Sequence, residues 1–144
     1  MNIVVTPVTH PIKMPEEPFH KWAKQFLKCK RELKTSYPNE SSPIPYYLLC
    51  HAIELEIKAR LSKTKSWKEL KKDFCHDLMK AYNALDNSQQ KILSDEDIEI
   101  LKKVNLIYME KGFEYILPFD LLTKNRRYPD LALLDSIASK LIGI

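Results

Sequence analysis

The chain has 144 residues, of which 44% are hydrophobic and 29% charged, as expected for one soluble domain with a sizeable core. The two glycines, Gly112 and Gly143, are too few for a β-rich fold with many tight turns, and they exclude a glycine-rich phosphate loop. The net charge of +4 is only mildly favourable for binding nucleic acid.

No apolar run is long enough to cross a bilayer, and the first residues lack the features of a secretory signal. Cys29, Cys50 and Cys75 are odd in number and show no paired spacing, so we expect reduced thiols in a cytoplasmic protein.

The N-terminal part of the chain predicts an extended lead-in, a helix and a loop. Ile3 to Val5 are hydrophobic residues that suit a strand, and several prolines follow. A first helix is expected from about Glu16 to Leu33, because acids suit the positive end of a helix. Its apolar face comprises Phe19, Trp22, Phe26 and Leu33, with Ala23 and Leu27 widening it. Three prolines and a polar cluster predict a loop over Thr35 to Pro45.

The second helix, from about Ile44 to Ser62, has the strongest pattern in the chain. Its apolar residues fill two adjoining rows, one through Leu49 and Ile53 and the other through Ala52 and Leu55. A stripe this wide predicts a central helix that is contacted on several sides.

Further helical segments follow. Ser66–Leu70 reads as a short capped turn of helix. A third long helix is expected to start near His76–Asp77 and to reach Leu85. Ser94 followed by three acids predicts the start of a fourth helix, which Gly112 ends. A last helix is expected over about Asp130 to Leu141.

These segments predict an all-α fold in which residues 1–144 form a single domain of four to five helices. The sequence also leaves open a short two-stranded β element, with one strand from the N-terminus and the other from residues 113–117.

The central helix and the segment after it resemble the HEPN superfamily of small helical bundles linked to nucleotide and RNA biology. The resemblance rests on YYLLCHAIELEIKARL (Tyr46 to Leu61), CHDLMKAY (Cys75 to Tyr82) and LKKVNLIYMEKGFEY (Leu101 to Tyr115). Cys75 stands where one branch has glycine, and Glu114 where arginine is common. HEPN ribonucleases carry an arginine followed at short spacing by a histidine, and no arginine of this chain has that pattern. Ribonuclease activity is therefore not carried over to any residue.

His51, Glu54 and Lys58 are the first candidate site, because offsets of three and four place them on one helical stripe. As ligand-binding residues they would form a polar pocket, with Glu54 as base or ligand and Lys58 meeting a phosphate. The competing interpretation is a Glu54–Lys58 helix pair beside a partly buried histidine.

His76 and Asp77 are the second candidate site. His76 can act as a general acid or base or bind an anion at a helix start. The competing interpretation is structural, with Asp77 favouring the positive helix end and His76 or Asp73 capping it. If both sites are functional, His76 and Glu54 should approach each other, and these two are the catalytic candidates.

Arg126 and Arg127, next to Tyr128, form the best patch for nucleic acid, since cations lie beside a ring that can stack a base. The alternative is a solvated turn. No metal site and no cofactor are expected, because the histidines are scattered and adjacent Cys–His pairs diverge on a helix. Cys50 lies on the apolar row, where thiols are usually inert.

We therefore expect a noncatalytic HEPN-like module, a homodimer in solution, that binds a partner protein or a nucleotide or RNA ligand and does not enter a membrane. The alternative is an RNA-processing enzyme, ribonuclease or toxin-like, that uses His76 with Glu54. A third interpretation is a structural accessory subunit.

Overall fold

The computed structural model describes residues 14–33, 42–117 and 128–144, and within these residues it contains seven α-helices and no strand. The helices are α1 (Glu16–Glu32), α2 (Pro43–Leu61), α3 (Trp67–Phe74), α4 (Leu78–Asn83), α5 (Asn87–Gln90), α6 (Asp95–Met109) and α7 (Leu131–Ile142). The expected all-α fold is confirmed for this part of the chain. The number of helices exceeds the four to five expected, because three of them have eight residues or fewer.

Local sequence explains where most of these helices begin. Each helix from α2 to α7 starts after a side chain that accepts a backbone N–H of the first turn: Ser42, Ser66, Asp77, Asp86, Ser94 and Asp130. At α6 the bond is reciprocated, since Asp97 accepts the backbone N–H of Ser94. Helix α1 follows Pro15 and has no side-chain cap.

Helix α2 lies at the centre of the core, as expected. It packs against α1, α4, α6 and α7, and its buried residues occur on every side of the helix, including Leu49, Cys50, Ala52 and Ile53. Around its first turn, the ring of Tyr46 stacks on Phe113 and the Tyr46 hydroxyl donates to the carbonyl of Pro129. None of the helices in the described segments is long and apolar enough for a bilayer crossing.

The buried face of α1 is narrower than the sequence predicted. Phe19, Ala23 and Leu27 are buried, whereas Trp22 is 57% exposed and Leu33 is also exposed. Helix α1 packs against α2 and α7, and its buried residues are confined to Phe19, Ala23 and Leu27. Trp22, which lies about 60° round the helix from Phe19, therefore remains at the edge of the contact.

Two predictions about the segment after α3 are wrong. The expected third long helix is the six-residue α4, which starts at Leu78 and ends at Asn83. Its cap is Asp77, not His76 or Asp73, since the Asp77 carboxylate accepts the backbone N–H of Lys80 at 3.0 Å. Asp86 then caps α5, because its carboxylate accepts the backbone N–H of Gln89. This bond favours the start of a new helix over the continuation of α4.

Residues 113–117 do not form the predicted strand: they continue a turn that begins after α6. The N–H of Gly112 donates to the carbonyl of Ile107 at 2.8 Å, which folds the chain back onto α6. A β-carbon at Gly112 would lie 2.7 Å from Cγ2 of Ile107, so this close approach requires glycine. The other predicted strand, Ile3 to Val5, lies outside the described residues.

Candidate functional site

Glu54 is a carboxylate in the core, with 4% of its side chain exposed, and polar side chains surround it. Lys58 Nζ lies 2.8 Å from Oε1, and His76 Nδ1 lies 3.1 Å from both carboxylate oxygens. The hydroxyl of Tyr108 donates to Oε2, and His51 Nδ1 lies 3.6 Å from Oε2. The structure thus brings together four of the predicted site residues and adds Tyr108, which the sequence did not single out as functional.

Three segments position this cluster. His51 and Lys58 flank Glu54 on α2 at offsets of three and four, so they lie on its side of the helix. Tyr108 comes from α6, and His76 from the connection between α3 and α4. In that connection Cys75 has φ 37°, and its carbonyl accepts a hydrogen bond from Lys58 Nζ at 3.1 Å. Lys58 therefore binds both the carboxylate and the loop that presents His76.

The hydrogen bonds define which nitrogen of each imidazole carries a proton. An ionised carboxylate only accepts, so His76 Nδ1 donates to Glu54. The Tyr108 hydroxyl donates a hydrogen bond to Glu54, and its oxygen accepts one from His51 Nδ1, which lies 3.3 Å away. Nε2 of neither ring is bonded to a described residue, and neither Nε2 is a buried unpaired atom in this part of the chain. The side chains of His51 and His76 are 24% and 44% exposed.

The cluster shifts the acidity of its members. Burial by itself would raise the pKa of Glu54, but hydrogen bonds from His51, Lys58 and Tyr108, with the charge of Lys58, outweigh burial and lower this pKa to about 2. Burial and the adjacent Glu54 charge raise the pKa of Tyr108 far above its ordinary value. Burial, followed by the Glu54 charge, also raises the pKa of Cys50, which agrees with an inert thiol.

Aromatic rings extend the site along α2 towards α1. His51 lies edge-on to Phe26, with ring centroids 4.4 Å apart, and parallel to Tyr47, with centroids 5.8 Å apart. On the other side, the rings of His76 and Tyr108 meet edge-on at 5.6 Å. Phe26, Tyr47 and both histidines are partly exposed. The arrangement presents two imidazole edges beside rings that can stack a planar group.

Asp77 does not join this cluster. Besides capping α4, its carboxylate accepts from Nδ2 of Asn105 at 3.0 Å, while Oδ1 of Asn105 accepts the backbone N–H of Leu78 at 2.8 Å. Asp77 therefore connects α4 to α6, which agrees with the structural interpretation of this residue.

Arg126 and Arg127 lie outside the described residues. In the described segments no group of three or more His, Cys, Asp and Glu side chains is arranged to hold a metal.

A second buried carboxylate, Glu56, lies two residues along α2 from Glu54 and points away from it. His20 Nδ1 of α1 lies 2.6 Å from its Oε2, and Arg60 Nε lies 3.7 Å from its Oε1. Burial raises the pKa of Glu56, although the hydrogen bond from His20 opposes that shift. The offset of four between Glu56 and Arg60 could have predicted this pair from the sequence. The contact between Glu56 and His20 could not be predicted in this way, because it depends on how α1 docks on α2.

Comparisons of this chain with protein-family models, with curated proteins and with solved structures gave no match.

Proposed function

We propose that this chain is a noncatalytic, HEPN-like helical module that binds a single-stranded RNA or nucleotide ligand at the surface around His51 and His76. The observation that carries the proposal is the pair of partly exposed imidazoles held through Nδ1 by Glu54 and Tyr108. Imidazole edges bind phosphate oxygens, and rings such as Tyr47 stack bases. A protein partner is the alternative ligand, but the partly exposed rings of Phe26, Tyr47 and His51 favour a ligand with a planar base.

The charges support a moderate, salt-sensitive affinity. Lys58 is held by Glu54 and by the Cys75 carbonyl, so its role here is to orient the loop instead of meeting a phosphate. The net charge of +4 adds a general attraction for nucleic acid. We expect the affinity to fall as salt is added, with a slope that reflects few phosphate contacts.

The proposal is tested by fluorescence anisotropy with a short fluorescein-labelled single-stranded oligoribonucleotide. We expect saturable binding that weakens about tenfold, or about 1.4 kcal/mol, in His51→Gln and in His76→Gln. The matched control is His20→Gln, because His20 is also held by a buried glutamate but lies at the other carboxylate. Absence of binding, or equal losses in all three variants, would overturn the proposal.

Ribonuclease activity is the second candidate function, and the contact between His76 and Glu54 favours it. A histidine oriented by a carboxylate is a common general base, and RNA supplies its own 2′-hydroxyl nucleophile. The same labelled RNA, analysed on a denaturing gel, tests this candidate. We expect intact RNA. Cleavage that disappears in His76→Gln and persists in His20→Gln would replace the binding module with the enzyme.

The homodimer remains a prediction. Light scattering behind size-exclusion chromatography measures the mass directly. Twice the mass of 16.9 kDa is the expected result, and the monomer mass would contradict it.

A further inference from the structure

Helix α3 and the turn before it carry most of the net positive charge of the chain. Residues 63–73 contain five lysines and two acids, a net charge of +3 in a chain whose net charge is +4. Three of these lysines, Lys68, Lys71 and Lys72, lie on α3 and are exposed. None of the three forms a salt bridge with an acid of the described residues. The positive charge on α3 is therefore concentrated and not neutralised by the protein.

Trp67 lies at the edge of the same surface of α3. The helical repeat places its side chain and those of the three lysines within about 140° of arc. The buried residues Leu70 and Phe74 lie outside this arc, and so do the acids Glu69 and Asp73. The surface is called the α3 basic face, and it consists of Trp67, Lys68, Lys71 and Lys72.

The ring of Trp67 is held against the core but remains accessible. Its centroid lies 6.2 Å from that of the buried Phe19 ring of α1, and 44% of Trp67 is exposed. Contact with Phe19 restricts the motion of the indole, so little freedom is lost when a ligand stacks on its exposed part. An aromatic ring beside lysines is the usual means of binding single-stranded nucleic acid.

The spacing of the lysines also favours an anionic partner. Lys71 and Lys72 lie three and four positions after Lys68, and like charges at these offsets destabilise a helix. A polyanion bound along α3 would relieve this repulsion.

From these observations we infer that the α3 basic face binds a single-stranded nucleic acid, with the lysines contacting phosphates of the strand and Trp67 stacking on an unpaired base. The inference goes beyond the proposed function, because it concerns a different surface from the one around His51 and His76 and does not depend on it. A duplex would offer the phosphates but no unpaired base for Trp67.

An anionic membrane fits this face less well than a nucleic acid does. A helix that lies on a membrane buries a broad apolar face among the headgroups. On α3 the other apolar residues, Leu70 and Phe74, are buried in the protein, so Trp67 alone would enter the lipid.

The experiment is fluorescence anisotropy of the whole chain with a short fluorescein-labelled oligouridylate over a series of salt concentrations. The test variant combines Lys68→Gln, Lys71→Gln and Lys72→Gln. Each phosphate contact on a single strand contributes about 0.7 to the slope of log affinity against log salt. The test variant should therefore lower the slope by about 2 and weaken the binding by about tenfold or more.

The matched control combines Lys21→Gln, Lys28→Gln and Lys103→Gln. These lysines are also exposed on helices, and none of them forms a salt bridge within the described part of the chain. The control variant has the same net charge as the test variant, so a general attraction for nucleic acid would affect both equally. We expect the affinity and the slope of the control to stay close to those of the wild-type chain.

Two tryptophan variants test the stacking. Trp67→Leu keeps an apolar contact with Phe19 but removes the ring, and it should weaken the binding by about tenfold. In Trp22→Phe, Trp67 is the one tryptophan left in the chain, and its fluorescence should be quenched when unlabelled oligouridylate binds. This variant leaves α3 unchanged, so it tests the inference even if the other variants fail to fold.

The outcomes separate the inference from the proposed function. Equal losses in the test and control variants, or no quenching of Trp67, would overturn the inference. Losses in His51→Gln and His76→Gln without losses in the α3 variants would leave the proposed function standing and remove the inference. The reverse pattern supports the inference and rejects the His51–His76 surface.

Two further results would also overturn the inference. One is the absence of any binding to the oligouridylate, which would remove the proposed function as well. The other is binding of the chain to vesicles of phosphatidylcholine and phosphatidylserine, measured by sedimentation, that is lost in the test variant while the oligouridylate does not bind. That result would assign the α3 basic face to a membrane.

Discussion

Nδ1 of His76 lies 3.1 Å from each carboxylate oxygen of Glu54, although the two residues are 22 positions apart in the chain. Glu54 also accepts from Lys58 and Tyr108, so its oxygens are saturated by the protein. The carboxylate is thereby an anchor for other side chains, and in the proposed function the histidines are the groups that meet the ligand.

Helix α2 carries two buried glutamates whose replacement should have unequal effects. Glu54→Gln should lower the free energy of unfolding by about 3 kcal/mol at pH 7, because Lys58 loses its buried counter-charge. Glu56→Gln should cost less than about 1 kcal/mol, since burial of that carboxylate is already unfavourable, as its raised pKa indicates. Urea unfolding of the two variants measures both values. Equal losses would contradict the distinction.

The pH dependence of stability should identify Glu54. Its pKa is about 2 in the fold and 4.5 in the reference state, so its contribution is fully present above about pH 4.5 and is lost as the pH falls towards 2. The shift corresponds to about 3 kcal/mol. Urea unfolding between pH 7 and pH 3 should therefore show a loss of stability that is smaller in Glu54→Gln. Parallel curves for the variant and the wild-type chain would argue against a lowered pKa.

Asn105 should be important for holding α4 in place. Asn105→Ala removes the acceptor for the Leu78 N–H and the donor to Asp77, and we expect a loss of about 2 kcal/mol because these buried groups lose their partner. Thermal unfolding followed by circular dichroism measures the loss. The exposed Asn83, changed to alanine, is the control and should have little effect. A loss at Asn83 as large as that at Asn105 would contradict the assignment.

The three thiols should differ in reactivity. Cys29 and Cys75 are exposed, whereas Cys50 is buried and has a raised pKa. A colorimetric thiol reagent should therefore modify two thiols of the native chain quickly and the third only in denaturant. Cys29→Ser and Cys75→Ser should each remove one fast-reacting thiol. Rapid modification of three thiols in the native chain would show that Cys50 is accessible.

The two glycines should fail to accept alanine for different reasons. Gly112→Ala places its β-carbon against Ile107 and should cost about 1–3 kcal/mol through overpacking. Gly143→Ala meets no atom within 4 Å, so only its φ of +84° opposes the change, at about 1 kcal/mol. Combining each variant with Ile107→Ala separates the causes under urea unfolding. The second change should relieve part of the strain at Gly112, because the Ile107 carbonyl oxygen at 3.1 Å and Leu117 Cδ1 at 3.2 Å remain, and none of it at Gly143.

The sequence predicted those features that depend on local spacing. Helical periodicity placed His51, Glu54 and Lys58 on one stripe of α2, and the caps Ser66 and Ser94 marked helix starts that the structure confirms. The width of the apolar stripe likewise predicted a central helix. Each of these inferences needs only residues within about one helical turn of each other.

The remaining features depend on packing between distant segments. His20 reaches Glu56 only because α1 docks along α2, and no pattern in either helix specifies that contact. Trp22 belongs to the apolar face of α1 by spacing, yet the width of the interface leaves it exposed. Residues 113–117 have the composition of a strand, but hydrogen bonds of the turn around Gly112 hold their first residues instead. Tertiary contacts override local preference at these positions.

Helix α1 enters the fold after Pro15 without a side chain to accept its first amide protons. Met14 packs partly against the core just before the helix, and the first buried residue of α1 itself is Phe19. The start of α1 is consequently the place where the described helices should fray most readily, exchanging amide hydrogen for deuterium ahead of global unfolding.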